Sequence, residues 1–149
     1  MPAANLDQGF GFLLNDVSRL LRHEFERRVS GFGLTRPQWI LLSYVARHPG
    51  STLGDLAKIV EREKITVSRQ ISRMVKNGWL QQSDGTADVP PHGLQLTRKG
   101  EGIVAGLVKV ADQLRDDAFA ILQAGRREAL IADLLQVRAK LERMIGAAG

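Results

Sequence analysis

The 149-residue sequence contains no cysteine. Disulfides, thiolate nucleophiles, thiol redox switches and cysteine-ligated zinc are therefore excluded. Aromatic residues are few, at 5%, and no apolar run approaches the roughly 20 residues that span a bilayer. The opening Met1-Pro2-Ala3-Ala4-Asn5-Leu6-Asp7 has no basic segment followed by an apolar one, so no targeting signal is read and a soluble cytoplasmic protein is expected. A Gly-rich phosphate loop, a nucleophile motif and paired carboxylates are also missing, so nothing speaks for an enzyme. His23, His48 and His92 are scattered without supporting carboxylates; no metal site and no cofactor are expected.

What is present is an ordinary apolar content of 44%, enough for a core, in a chain within the usual single-domain range of roughly 100 to 200 residues. The net charge is +5, and it is unevenly placed. Between Thr35 and Gly100 ten cations stand against five acids, which accounts for the whole excess and leaves the flanks neutral. That asymmetry is expected where only the middle of a chain meets a polyanion.

The stretch from Lys64 to Lys76 concentrates the signal. Val67, Ile71 and Met74 recur at helical spacing and define one apolar face. Arg69, Arg73 and Lys76 repeat that spacing on another face; Lys64, Thr66, Ser68 and Gln70 fill the leading turns, and no acid interrupts them. Such side chains neutralise phosphates and hydrogen-bond base edges. By charge alone such a helix is more often just a solvated face, and the flanking helix, the wing and the ordered motifs reverse that reading.

Around it the periodicity predicts a long first helix from about Asp7 to Ser30, ended by Ser30-Gly31-Phe32-Gly33. Thr35 with Gln38, and Thr52 with Asp55, have capping-box spacing and open a second and a third helix. Glu61-Arg62-Glu63 is then the turn of a helix-turn-helix, without the glycine such turns often contain. Asn77-Gly78 suits a left-handed cap. Trp79 to Gln82 and Leu94 to Leu96 read as strands joined by a loop, a hairpin wing. Thr97 caps a fifth helix, Gln123-Ala124-Gly125 breaks it, and Leu130, Leu134, Val137, Leu141 and Met144 belong to a sixth. The fold class is mainly α with a small β-wing.

Taken in order, Leu34-Thr35-Arg36-Pro37-Gln38-Trp39, Leu53-Gly54-Asp55-Leu56-Ala57, the run from Thr66 to Leu80, and Leu94-Gln95-Leu96-Thr97-Arg98-Lys99-Gly100 resemble the MarR-type winged helix-turn-helix transcriptional regulators, including their SlyA-like members. The resemblance covers nearly the whole chain. It implies a homodimer whose N- and C-terminal helices, residues 1–33 and 101–149, form a dimerisation region around a winged DNA-binding lobe at 34–100. It also implies repression from palindromic double-stranded DNA, released by a small aromatic or anionic ligand.

Carried over residue by residue, Arg69 and Arg73 match the family's recognition-helix arginines, with Lys64, Thr66 and Ser68 near its leading end. Arg73 has a second family role, pairing with an acid inside the lobe, but Ser72 stands where relatives often carry Asp. The wing departs further: Asp88 is followed by Val89 and Pro90 where arginines are expected, and Gln82 replaces another. His92 or Arg98 then serves as the phosphate contact, or recognition falls mainly on the helix. Arg19 and Arg22 with Trp39 form a candidate pocket for a carboxylate ligand, against the alternative of surface charges and a core tryptophan. Two other functions stay open: an architectural DNA-binding dimer without effector, and a helical protein-interaction module.

Overall fold

The computed structural model describes residues 8–85 and 91–148. Helix α1 runs Phe10–Val29 and passes through a short 3-10 turn, Ser30–Phe32, to a left-handed Gly33. It starts later than the periodicity suggests, because Gly9 is extended and supplies no side-chain cap. Helix α2 (Arg36–Arg47) and helix α3 (Leu53–Ile59) both open with complete capping boxes. Thr35 Oγ1 accepts from the Gln38 N–H while the Thr35 N–H donates to Gln38 Oε1 at 3.0 Å, and Thr52 and Asp55 repeat the exchange. Two otherwise orphaned N–H groups are thereby satisfied at each helix start.

Helix α4 spans Lys64–Lys76, and its three buried residues are Val67, Ile71 and Met74. Strands β1 (Leu80–Gln82) and β2 (Leu94–Leu96) pair antiparallel, Leu80 opposite Leu96 and Gln82 opposite Leu94. Backbone bonds from the Ser83 N–H to Gly93 O and from the His92 N–H to Ser83 O continue this ladder. On its other side β2 bridges to Ser51, so the wing is fastened to the α2–α3 connection. Helices α5 (Arg98–Phe119) and α6 (Arg126–Ala148) complete the chain, separated by a left-handed Gly125.

Residues 1–112 and 113–149 form two compact units. In the first, Leu41, Leu42, Val45, Leu56, Val67, Ile71, Met74, Leu80 and Leu94 close into one core. Each such side chain contributes about 1.5–3 kcal/mol of burial free energy, before the entropy of ordering the chain is set against it. The core draws on α2, α3, α4 and both strands, so it fixes the orientation of α4. In the second unit, Arg127 pairs with Asp116 at 2.9 Å and its guanidinium lies over the Phe119 ring. No helix among the described residues is long and apolar enough to cross a membrane.

Candidate nucleic-acid interface

Both helices of the helix-turn-helix end in the same hydrogen-bonded motif. After α4, the Gly78 N–H donates to Val75 O and the Trp79 N–H to Met74 O, both at 2.9 Å, with Gly78 left-handed at φ 76°. After α3, the Glu61 N–H donates to Lys58 O and the Arg62 N–H to Ala57 O, with Glu61 itself at φ 51°. These are Schellman caps, and the second explains how the turn closes without glycine: Glu61 adopts the conformation glycine usually supplies. The left-handed region costs a side-chain-bearing residue of the order of 1–2 kcal/mol. The core contacts of α3 and α4 hold it there.

The far end of α4 is tied to the start of α5. Thr97 Oγ1 accepts from the Gly100 N–H at 3.1 Å, as an N-cap does, and its own hydroxyl donates to Gly78 O. The Thr97 N–H donates to Trp79 O at 3.1 Å, and Lys99 Nζ donates to Asn77 O at 3.2 Å. Gly100 permits this approach, since a methyl group there would sit 2.1 Å from Trp79 O.

With its core face fixed, α4 turns the opposite side outward. Ile65, Arg69, Ser72 and Lys76 lie at i, i+4, i+7 and i+11 and are all exposed, flanked by exposed Thr66 and Arg73. Ser68 and Gln70 are half-buried on the shoulders of this ridge. Ser68 lines a cavity of about 300 Å³ that also touches Ser72, the start of α3, and Gln82 and His92 of the wing. Lys64 leans toward the same region: a methyl group on Gly54 would lie 3.6 Å from Lys64 Cε and 3.7 Å from its Nζ. His92 is exposed in a left-handed conformation at φ 63°, and Arg98 is exposed at the start of α5. The sequence reading passed over Ile65 and Ser72 as ridge residues; extending the spacing of Arg69 one turn either way finds both.

Among the described residues Arg73 has no acid partner, so the alternative of an ion pair within the lobe gains nothing from them. The wing positions Asp88, Val89 and Pro90 lie outside the described residues. Trp39 packs edge-on against Phe25 with ring centroids 4.9 Å apart, joining α2 to α1. Arg19 pairs with Asp16 at 3.5 Å, Arg22 is exposed, and neither stacks on Trp39. The joint between α1 and α2 is strengthened by Arg36, whose guanidinium binds both carboxylate oxygens of Glu26. This hydrogen bonding lowers the Glu26 pKa and raises that of Arg36.

Residues 32–88, from the 3-10 turn through the helix-turn-helix into the wing, match the family model described as MarR family. That central stretch of the chain is similar to the MarR family. The fold is that of winged-helix proteins, mainly helical with a two-stranded wing. The chain is 24% identical over 124 residues to the transcriptional regulator HosA of Escherichia coli O157:H7, a match covering 80% of this chain and 92% of that one. The solved structure of the transcriptional regulator PA3341 is 29% identical, covers 91% of this chain and 99% of its own, and superposes with a TM-score of 0.75. The structure of a Mycobacterium tuberculosis MarR family protein in complex with salicylic acid is 20% identical with a TM-score of 0.71, covering 87% and 96%.

Proposed function

We propose that this chain is a MarR-family transcriptional regulator, a cytoplasmic homodimeric repressor that binds palindromic operator DNA through α4 and leaves it when a small aromatic or anionic ligand binds. The observation that carries the reading is the outward ridge of α4, where Arg69, Arg73 and Lys76 are exposed without an intervening acid on a helix anchored at both ends. Arg69 takes the bidentate role on guanine, for which its planar fork is suited. Lys76, Thr66 and Arg73 hold phosphates or a base edge, with Lys64, Ser68 and Gln70 beside them. His92 and Arg98 supply backbone contacts at the wing side and the α5 start.

Residues 1–33 and 101–149 form the dimerisation region in this proposal, and 34–100 the DNA-binding lobe. Open apolar side chains support it, among them Leu13, Val17 and Leu20 on α1 and, separately, Leu134, Leu141 and Ile145 on α6. Two recognition helices of a dimer then reach half-sites about 34 Å apart. Release by ligand draws on the salicylic acid complex of the related protein, with Arg19, Arg22 and Trp39 as the residues assigned to an acid.

The test is binding of purified protein to a duplex enriched from a randomised pool, measured against salt concentration. Specific binding with a steep salt slope is expected, and Arg69→Ala should weaken it by about 2 kcal/mol. Salicylate should lower the affinity of the wild type but not of a variant carrying Arg19→Gln and Arg22→Gln. Affinity independent of salt would reject the DNA role, and salicylate acting equally on both proteins would reject the assigned pocket.

A further inference from the structure

We infer that Ile65 reads the C5-methyl group of a thymine in the operator, making it a specificity residue beside the guanine-reading Arg69. The inference rests on the docking of α4 proposed above. Ile65 is 59% exposed, in the first turn of α4. At about 100° per residue it lies about 200° from Val67 and 180° from Met74, so it faces away from the core. It therefore has no role in closing the lobe, and it lies one turn ahead of Arg69 on a ridge that is otherwise polar or basic.

That placement decides the chemistry. The leading residues of a recognition helix meet base edges, whereas phosphate contacts come from charged and polar groups that isoleucine does not have. Of the groups that base pairs present in the major groove, only the thymine methyl is apolar. Covering it removes carbon surface from water on both partners, without a hydrogen bond to satisfy. Four residues of α-helix advance about 6 Å, and base pairs repeat every 3.4 Å or so. The thymine then falls within about two base pairs of the guanine taken by Arg69.

The experiment uses the full-length protein and a duplex enriched from a randomised pool by the wild type. Each thymine is replaced in turn by deoxyuridine, which removes the methyl and nothing else. At one thymine per half-site, close to the guanine at which Arg69→Ala loses discrimination, the wild type should weaken about fourfold for each methyl removed. Ile65→Ala should already show that loss and bind thymine and deoxyuridine duplexes equally, while Ile65→Val keeps the preference. Equal thymine-to-deoxyuridine ratios for wild type and Ile65→Ala at every position would overturn the inference. Failure of the docking itself is distinguishable, because Arg69→Ala would then leave both affinity and salt slope unchanged. Circular dichroism and thermal unfolding should be unaltered in the Ile65 variants, since the side chain is open to water.

Discussion

The central lobe and the terminal helices draw on the same apolar residue types and treat them in opposite ways. Leu42, Leu56 and Met74 are fully enclosed, whereas Phe10 on α1 is 59% exposed and Ile145 on α6 is 73% exposed. The lobe completes its core from short elements that cross one another: α2, α3, α4 and the two strands. Helix α6 has 23 residues and buries none of them, although leucines recur along it. A helix of that kind is stabilised by packing more than by propensity, so in the proposed dimer its open leucines meet the partner copy. Within one small chain, the lobe encloses most of its apolar side chains, whereas α1 and α6 leave most of theirs open.

Breaking the closed side should have the largest effect. Gly100→Ala places a methyl group against Trp79 O and should destabilise the lobe by about 3 kcal/mol or more, seen as a lower urea midpoint. On the open side, Val17→Glu with Leu134→Glu should weaken self-association about a hundredfold in analytical ultracentrifugation, near 2.7 kcal/mol, while the lobe stays folded. If that pair unfolded the lobe and left association intact, the contrast between closed centre and open ends would be wrong. A smaller, opposite change sharpens it: Glu61→Gly relieves the left-handed turn and should stabilise by about 0.5–1 kcal/mol at equilibrium, after the added freedom of the unfolded glycine is subtracted.

The smallest effect concerns pH. Hydrogen bonds from Arg27 and Arg28 lower the Glu24 pKa on α1 from 4.5 to about 2. A carboxyl with a depressed folded value stabilises fully above its unfolded pKa and loses that contribution as pH falls from about 4.5 through 2. Glu24→Gln should therefore flatten part of the acid limb of thermal stability below pH 4.5 and change little at neutral pH. Because Glu24 bonds to residues of its own helix, the change should appear in helical content before any loss of the lobe.

Much of this was readable from residue types where the forces are local. Thr35 with Gln38 and Thr52 with Asp55 announce their helices because a capping box closes within four residues. The bounds Lys64–Lys76, the left-handed Gly78 and the break at Gly125 follow from periodicity and from glycine's freedom. Glu61 was not readable, since nothing in a glutamate announces positive φ; the packing of α3 on α4 imposes it. The bond from Lys99 to Asn77 O crosses 22 positions, a separation at which residue order alone carries no geometry. On α4 the exposed cations Arg69 and Arg73 were legible from charge and spacing, whereas the exposure of Ile65 was not, since isoleucine is more often a core residue.

The ties from Thr97 and Lys99 to Asn77 O and Gly78 O, just past the end of α4, and to Trp79 O have a mechanical consequence. They restrict play between the end of α4 and the first turn of α5. Under the proposed dimeric docking, an operator whose half-sites are spaced slightly wrong would not be met by swivelling α4 alone, since any tilt must be matched by the first turn of α5. On that proposal, tolerance for operator spacing depends on the stiffness of this joint. Loosening the pin, for example with Thr97→Val, should broaden the range of spacings accepted before it weakens binding to the best one.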